Sequence, residues 1–491
     1  MAIEIEDKFD VPADYELPEL ADLPGCAEAV GPKTHQLVAL YFDTPDLRLA
    51  ARGITLRRRR GGTDPGWHLK LPKAKGVRQE IVHPLTRSAR IVPQELASLV
   101  LAYTRGAPLA PVAELDTRRS VVQLVSGAGI RLVEIADDRV KGTVLGDQPH
   151  VERWREVEAE LIEGEEKLLG KVGKRLVKAG AAPAESASKL SRLLNTAVSV
   201  PEIGLAPTKA GSAGEVVVGY LASQVATLLA QDPRVRRAEE DAVHQMRVAS
   251  RRLRSALKSF KTIVEGTEAV QEELKWLAGV LGEARDLEVI RERFAHRLDT
   301  LDPVLIVGPV RTRLSSDLLD AEHEAYDRIR ETLGGERYFA LLDALDDLVA
   351  TPVLTKAAKK PAETLDAVAA KGWRRVTRAY AAAQAVEGAD REIAMHDVRK
   401  AAKRARYTAE VLGMGKLAKR AEAVQEVLGT HQDGVVAQER LAAEAANARL
   451  AGEDTFTYGV LTGLERASAE RAWDEFPGVW AETSTAVETL L

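Results

Sequence analysis

Hydrophobic and polar positions alternate with a period of two through residues 1 to about 195, which predicts a domain made mostly of β-strands. Gly, Pro and Asp separate the alternating runs, as expected of turns. Two helices are predicted to interrupt the strands, near Pro93–Tyr103 and Glu165–Ala179. The predicted strands are Ala2–Phe9, Val38–Phe42, Gly53–Arg60, Trp67–Leu71, Ser120–Val125, Ile130–Ile135 and Trp154–Leu161.

The pattern changes after residue 214 to apolar positions three or four residues apart, which predicts an all-helical second half. Between the halves, Val200–Gly214 is rich in Pro and Gly and is predicted to be a linker. We therefore expect a multidomain α+β protein with a strand domain at 1–198, a linker at 199–213 and an all-α domain at 214–491.

An internal repeat runs through the helical half. A basic helix begins at His244 and a second one begins at His396, and each carries an arginine three positions later. Each basic helix is followed by a related motif, LGEARD at 281–286 and LGTHQD at 428–433. The same features in the same order predict two pseudo-symmetric helical bundles, at about 214–350 and 360–491.

Composition narrows the functional classes. Aromatic residues make up 4% of the chain, which argues against recognition by base stacking, and a net charge of −5 argues against general nucleic-acid binding. Cys26 is the sole cysteine, so no disulfide framework or CxxC metal site is expected. The sequence shows no signal-peptide pattern and no apolar run of membrane-spanning length, which predicts a cytoplasmic protein.

Charged residues also alternate along the predicted strands. Glu4, Glu6 and Lys8 share one strand face, and carboxylates beside an ammonium suit Mg²⁺ or Mn²⁺ next to a phosphate. A single row of this kind is commonly a solvated face. Several rows, however, basic on some strands and acidic on others, favour the interior of a closed barrel that holds a polyanion and a metal.

The ExExK motif at 4–8, the YFDT segment at 41–44 and the Arg-rich strand at 57–60 resemble the CYTH family of triphosphate tunnel metalloenzymes, as do the segments around Lys70, Arg78 and 156–158. The resemblance implies an eight-stranded antiparallel tunnel with Mg²⁺ or Mn²⁺. It implies catalytic roles for Glu4, Glu6 and Lys8 and metal ligation by Glu4, Glu6, Asp138, Glu156 and Glu158. The implied substrate-binding residues are Lys8, Arg57, Arg59, Lys70, Arg78, Lys189 and one of Arg118 and Arg119, whose facing depends on strand register.

On a helix, His244, Arg247, Arg251, Arg254 and Lys258 form one stripe with almost no acid in it, and the second repeat has a matching stripe. A solvated face with ion pairs is the ordinary alternative, and a histidine–carboxylate metal site is a third. The stripes and the two LG motifs resemble the CHAD domain, which implies binding of inorganic polyphosphate and association with polyphosphate granules. The residues concerned are His244, Arg247, Arg251, Arg252, Arg254, Lys258, His396, Arg399, Lys400, Lys403, Arg404, Arg406 and His431.

We therefore expect an inorganic triphosphatase whose tunnel hydrolyses triphosphate or short polyphosphate and whose helical half holds long chains. No nucleophile–base pair is evident, so hydrolysis without a covalent intermediate is expected. A non-catalytic polyphosphate-binding protein is the main alternative. Thiamine triphosphatase and class IV adenylate cyclase activities follow from the same resemblance but need a pocket for an organic group. We expect no nucleic-acid or membrane partner.

Overall fold

The structure is a computed structural model that describes residues 2–74, 77–146, 149–186, 188–197 and 204–490, with backbone only at residues 2–4, 74, 196 and 197. The chain divides into two compact units, Met1–Ile203 and Gly204–Leu491. Part of the predicted linker, residues 199–203, lies outside the described residues.

The first unit is a closed antiparallel β-barrel. Its strands pair in the order β5-β4-β3-β2-β6-β7-β8-β1, and β1 also pairs with β5, which closes an eight-stranded barrel as predicted. The short β9 adds to β1 outside the ring. The strands are β1 (Ala2–Asp10), β2 (Glu28–Asp43), β3 (Thr55–Arg60), β4 (Gly66–Ala74), β5 (Val77–His83), β6 (Ala110–Val125), β7 (Arg131–Val144), β8 (His150–Leu161) and β9 (Ala182–Pro183).

Several strands are longer than the alternation predicts. β2 begins ten residues before Val38, because its first half is largely exposed and polar on both faces and therefore lacks the alternation of a half-buried strand. β6 likewise begins at Ala110 rather than at Ser120. Four helices accompany the barrel: α1 (Gln94–Leu99), α2 (Leu101–Thr104), α3 (Glu166–Lys178) and α4 (Lys189–Ala197).

Helices α3 and α4 cover different surfaces of the barrel. α3 packs Leu169 and Val172 against a cluster that includes Phe9, Val133 and Val157. These strand residues have the parity opposite to the charged inner row, so α3 lies on the outer face.

α4 packs Leu190 and Leu193 against Leu115, Val140 and Trp154. Those three have the same parity as Arg119, Asp138 and Glu158, which face inward, so α4 closes an apolar end of the barrel interior.

The second unit is all-helical, as predicted. Its helices are α5 (Ala213–Arg236), α6 (Ala242–Ser259), α7 (Glu268–Thr300), α8 (Val310–Leu333), α9 (Glu336–Ala350), α10 (Asp366–Gln384), α11 (Gly388–Val411), α12 (Gly415–Leu450) and α13 (Phe456–Glu488). One core lies among α10–α13 around Trp373, Val398 and Leu428. Another core joins α7 and α8 to α12 and α13 around Phe294, Leu318 and Leu441.

Helix α5 contains a longer apolar stretch than was expected from the sequence pattern. By length and composition alone it could cross a membrane, a test that the core helix of a soluble protein also passes. Val217, Leu221 and Leu228 of α5 are buried within the helical unit, and Ser212 caps its N-terminus by accepting a hydrogen bond from the Glu215 amide. Its apolar character is accounted for by this packing.

Candidate functional site

The inner face of the barrel is charged because strand alternation turns every second side chain inward. Glu6 and Lys8 on β1, Arg57 and Arg59 on β3 and Glu158 on β8 all line one cavity of about 810 Å³. The charged rows of the sequence therefore meet around a single space. Further lining residues are Tyr41, Lys70, Arg78, Glu80, Arg119, Arg131, Glu134, Glu160 and Lys189.

Two arginines on the basic wall of this cavity, Arg57 and Arg59, have guanidinium donors without a partner among the described residues. Arg57 Nη1 lies 3.4 Å from the Tyr41 hydroxyl, and Arg59 pairs with Asp64. The Nε atoms of Arg57 and Arg59 are buried and have no hydrogen-bond partner in the described part of the chain. Burial, together with the neighbouring Arg57 and Arg119, lowers the pKa of Arg59 to about 9. Crowded cations with free donors fit a polyanion.

Two more predicted phosphate ligands lie on the same wall. Lys70 and Arg78 both line the cavity, on the adjacent strands β4 and β5. Lys70 Nζ lies 3.7 Å from Glu80 Oε1, and the same oxygen lies 2.8 Å from His68 Nδ1. Glu80 therefore contacts both His68 and Lys70 through the same carboxylate oxygen.

The acidic wall centres on Glu158, which lines the cavity, and on the buried Asp138 and Glu156 next to it. One oxygen each from Asp138, Glu156 and Glu158 lies within 4.8 Å of the others, close enough to share a cation. The Lys189 ammonium stands among them, 2.9 Å from Asp138 and 2.7 Å from each of the two glutamates. Burial alone would lower the pKa of Lys189, but these carboxylates outweigh it and raise that pKa.

The structure distinguishes Arg119 from Arg118. Arg119 lines the cavity and binds Asp138 with two hydrogen bonds, of 2.8 and 2.6 Å, and Glu158 with one of 2.6 Å. Arg118 is exposed on the outer face. Burial would raise the pKa values of Asp138 and Glu158, but the adjacent cations, Lys189 foremost, hold both below their usual range.

Lys8 forms ion pairs with two carboxylates of the acidic wall, Glu6 and Glu158. Its ammonium lies 3.0 Å from Glu6 Oε2 and also contacts Glu158. Burial alone would lower the pKa of Lys8, but Glu158 and Glu6 raise it. The side chain of Glu4, the other predicted carboxylate of β1, lies outside the described residues.

Some cavity residues were not named as site residues from the sequence: Glu80, Arg131, Glu134 and Glu160. Glu80, Glu134 and Glu160 have the parity of a predicted site residue on their strands, so the alternation could have found them. Arg131 has the opposite parity to Asp138 and lies at a register shift between β6 and β7, which alternation does not reveal. Asp43 of the YFDT segment has a structural role, because its buried carboxylate accepts hydrogen bonds from the Thr44, Leu49 and Ala50 amides at 2.7–2.9 Å.

In the helical unit, α6 and α11 pack against each other and bring both basic stripes together. Burial and the nearby Arg251, Arg399 and Arg247 lower the pKa of Lys403 to about 8. The Nε atoms of these three arginines are buried and lack a hydrogen-bond partner within the described residues. We call this set, Arg247, Arg251, Arg399 and Lys403, the central basic groove.

The two LG motifs support this groove directly. Asp286 of the first motif lies 3.0 Å from Arg247, and Asp433 of the second lies 3.8 Å from Arg399. The motif glycines leave space for the guanidinium groups, since a Cβ at Gly429 would lie 3.1 Å from Arg399 Nη2. The motifs thus position one groove arginine in each repeat.

Other predicted polyphosphate ligands already have partners. Glu410 binds Arg252 at 2.9 Å and Arg406 at 3.0 Å, and Lys400 lies 3.1 Å from Asp397. His431 Nδ1 lies 3.1 Å from the Ala469 carbonyl, and its ring packs on Trp473.

The two leading histidines, His244 and His396, have pKa values lowered chiefly by burial, with nearby cations adding to it. Their role in anion binding, like that of His431, stays a prediction.

Comparison with known proteins agrees with both halves. The CYTH domain family model matches residues 2–194, and the CHAD domain model matches residues 219–442. The "Uncharacterized protein Rv2226" of Mycobacterium tuberculosis is 39% identical over 99% of this chain and 97% of its own length. Among solved structures, PptA from Streptomyces chartreusis is 25% identical, covering 55% of this chain and 99% of its own, with a TM-score of 0.47. The CHAD domain from Ricinus communis is 23% identical, covering 57% and 94%, also with a TM-score of 0.47.

The barrel with a basic wall opposite a carboxylate cluster defines a triphosphate tunnel enzyme of the triphosphatase or cyclase-like class, and its family is metal-dependent. The chain belongs to the CYTH and CHAD families, with both domains in one polypeptide.

Proposed function

We propose that the barrel hydrolyses inorganic triphosphate or short polyphosphate. The observation that carries this proposal is the opposition, across one cavity of about 810 Å³, of Arg57 and Arg59 to the carboxylates around Glu158. A triphosphate needs several cationic donors along its length, and hydrolysis also needs a carboxylate facing the attacking water.

Each wall has its own part in the reaction. Arg57, Arg59, Lys70, Arg78 and Arg119 would hold the non-bridging oxygens and offset the charge that develops as the terminal phosphorus is attacked. Lys8 can share its ammonium between the carboxylates and a phosphate oxygen. The water oxygen forms the new bond to phosphorus, the bridging P–O bond breaks, and the water proton passes to a carboxylate such as Glu6.

The donor set fits a hard divalent cation such as Mg²⁺ or Mn²⁺, because Asp138, Glu156 and Glu158 offer clustered carboxylate oxygens. Glu6 and Glu4 would extend this set along β1. When bound, the cation supplies further positive charge to the phosphate oxygens. The residues around the cluster, Lys189 and Arg119, then have to share or yield those carboxylates.

The test is phosphate release from tripolyphosphate by the full chain with Mg²⁺ or Mn²⁺. Glu6→Gln keeps the shape of the side chain and removes its charge, so turnover is expected to fall on the order of 100-fold or more. Glu114→Gln, an exposed position on β6, is the matched control and is expected to retain activity. Full activity in Glu6→Gln would refute catalysis by this cavity. Long polyphosphate, ATP and thiamine triphosphate in the same assay compare substrate classes.

A second candidate is a barrel that clasps polyphosphate without turnover. The observation favouring it is the Lys189 ammonium, which already forms ion pairs with all three clustered carboxylates. Thiamine triphosphatase and class IV adenylate cyclase have less support, since the described cavity lining offers Tyr41 as its aromatic ring for an organic group. Binding without phosphate release in the assay above would favour the clasp.

For the helical half we propose binding of long-chain inorganic polyphosphate in the central basic groove. Unpartnered guanidinium Nε atoms from both repeats lie near Lys403, and burial together with these cations lowers the pKa of Lys403. A linear polyanion would relieve this repulsion. We further propose a cytoplasmic protein that associates with polyphosphate granules, organised as a tunnel domain at 1–198, a linker and a helical domain at 214–491.

A further inference from the structure

The two repeats of the helical unit differ at one ion pair. Corresponding positions of the basic helices lie 152 residues apart, as His244 and His396 do. By the same spacing Arg252 corresponds to Arg404, and Glu410 corresponds to Lys258. The second repeat therefore has a glutamate, Glu410 on α11, where the first repeat has a lysine, Lys258 on α6.

Glu410 supplies a carboxylate to two arginines. Glu410 accepts hydrogen bonds from Arg252 at 2.9 Å and from Arg406 at 3.0 Å. Arg252 also stacks over the Tyr407 ring, 5.8 Å from its centroid. Tyr220 of α5 belongs to the same cluster. Burial and the nearby Glu410 raise the pKa of its hydroxyl, while Arg252 lowers it. Arg252 therefore already has an anionic partner, Glu410, within the protein.

Among the described residues, the surroundings of Arg404, the counterpart of Arg252, lack a carboxylate equivalent to Glu410. Lys258 stands where Glu410 would be, and Gly372 of α10, which has no side chain, lines the adjacent space. The result is a pocket of about 350 Å³, near the lower end of the range roughly 300–1,000 Å³ that ligand sites occupy. We call it the Lys258 pocket; the basic residues in its lining are Lys258, Lys261, Lys371, Arg375, Lys400 and Arg404.

The cations of this pocket repel one another. Arg404, then burial and the nearby Arg254 and Arg375, lower the pKa of Lys258. Burial, Arg375 and Arg254 lower the pKa of Arg404. Asp397 is the carboxylate of the pocket lining, and it pairs with Lys400. Within the described residues, no carboxylate lies at ion-pairing distance from Lys258, Arg375 or Arg404.

The pocket lies beside the central basic groove rather than in it. Lys400 and Arg404 follow the groove residues Arg399 and Lys403 by one position each, which turns them about 100° around α11. Lys371 and Arg375 come from α10, a helix that contributes no residue to the groove as defined above. The two sites therefore share α6 and α11. They use different faces of α11, whereas on α6 Lys258 continues the stripe of Arg247 and Arg251 two turns beyond Arg251.

We propose that the Lys258 pocket is a second anion site that takes a compact phosphate group of pyrophosphate size. The pocket is short and enclosed by cations from α6, α10 and α11, so it suits a small, multiply charged anion better than an extended chain. That anion is either a free short phosphate or the terminus of a chain whose length lies in the groove. The inference rests on the proposed polyphosphate binding by the helical half.

The test is calorimetric titration of the full chain with pyrophosphate in the absence of divalent cations. Lys258→Glu is expected to pair with Arg404, as Glu410 pairs with Arg252, and so to close the site while keeping the fold. Pyrophosphate affinity at this site is expected to fall at least tenfold, and the count of bound pyrophosphates by one. Lys258→Met is expected to give a smaller, several-fold loss. Lys419→Glu, the same charge change at an exposed position of α12, is expected to shift affinity less than twofold.

Equal pyrophosphate binding by the native chain and both Lys258 variants, all folded by circular dichroism, would overturn the second site. A separate arm measures long polyphosphate. If the native chain fails to bind it, the proposed function of the helical half is wrong, whatever the pyrophosphate result. If saturating pyrophosphate weakens long-chain binding, the pocket takes a chain terminus; if long-chain binding is unchanged, it takes a free short phosphate. Either of these last results supports the pocket.

Discussion

The Lys189 ammonium lies 2.7 Å from Glu158 Oε1, inside the barrel and at the start of the helix that closes its apolar end. Asp138 lies 2.9 Å and Glu156 lies 2.7 Å from that ammonium. One lysine therefore holds the position at which a divalent cation would share these three carboxylates. The state of Lys189 links the closure of the barrel by α4 to the charge of the acidic wall.

Replacing Lys189 with Met is expected to destabilise the barrel and to increase its affinity for Mn²⁺. Two buried carboxylates and the half-buried Glu158 would lose a shared counter-charge, and breaking a buried pair from one side costs about 3–5 kcal/mol. The free energy of unfolding, measured with urea and a chelator, is expected to fall by about that amount. Mn²⁺ is expected to restore part of it, because a cation can replace the ammonium.

The matched control for this change is Lys33→Met, at an exposed lysine on the rim of the same cavity. Lys33→Met is expected to leave the stability with chelator nearly unchanged. Unchanged stability in Lys189→Met, with no difference in Mn²⁺ titration, would contradict the role assigned to Lys189.

Most of the tunnel interior could be predicted from the sequence because strands have a strict period of two. Alternation alone places Glu6 with Lys8, and Arg57 with Arg59, on one face. It could not decide between Arg118 and Arg119, since both are basic and adjacent. The pairing of Arg119 with Asp138 across β6 and β7 decides it, and that pairing is a property of the sheet register.

The helical half was predictable as helices and as a repeat, but the pairing of its charges was not. Arg252 appeared equivalent to Arg251 as a phosphate ligand, yet it binds Glu410, 158 residues later in the chain. His431 looked like a third groove histidine, whereas its hydrogen bond goes to the backbone of α13. Helical periodicity predicts on which face of its helix a residue lies. Which residue it contacts depends on how helices distant in the sequence pack together.

Gly429→Ala is expected to weaken polyphosphate binding several-fold while the domain remains folded. The added Cβ would lie 3.1 Å from Arg399 Nη2, so the guanidinium has to move out of the groove. The contact is with the far end of a flexible side chain, and alanine favours the helix by roughly 1 kcal/mol over glycine, so stability is not expected to fall.

The control is Gly279→Ala on α7, where a new Cβ meets nothing within 4 Å. It has the same helix-propensity gain and no groove arginine to displace. Equal polyphosphate affinity in the two alanine variants, measured by filter binding, would show that the motif glycine does not position Arg399.

Polyphosphate affinity is expected to fall as the pH rises above about 8. Burial and then Arg251, Arg399 and Arg247 hold the pKa of Lys403 at about 8 in the free protein, while Asp433 offsets this in part. A bound polyanion favours the charged ammonium and raises that pKa. Binding is therefore strongest below pH 8 and weakens as the free lysine loses its proton, up to the higher pKa of the bound state.

Lys403→Arg separates this titration from other causes, because a guanidinium stays charged throughout the range. Affinity measured between pH 7 and 9.5 is expected to decline in the native chain and to remain nearly flat in Lys403→Arg. His244 and His396, whose pKa values are lowered, do not titrate in this window. The same decline in both proteins would assign the pH dependence to a different group.

Arg251 on α6 and Lys403 on α11 belong to different repeats, and Arg251 helps to lower the pKa of Lys403, so the two cations lie near each other. Arg251→Ala and Lys403→Ala are each expected to weaken long-polyphosphate binding and to reduce its salt dependence. By analogy with counterion release from nucleic acids, each lost phosphate contact lowers the slope of log affinity against log salt by about 1.

In the double variant the losses are not expected to add, because removing either cation also relieves repulsion on the other. Duplex DNA is the decisive competitor. Polyphosphate is thinner, flexible and without bases, so it can lie between two packed helices. A DNA duplex is too wide to do so, and it binds a protein helix in its own major groove instead. Long polyphosphate is expected to displace labelled polyphosphate far better than DNA at equal phosphate concentration. Equal displacement would mean that the stripes form an open basic surface, and the assignment of polyphosphate as the partner would then fail.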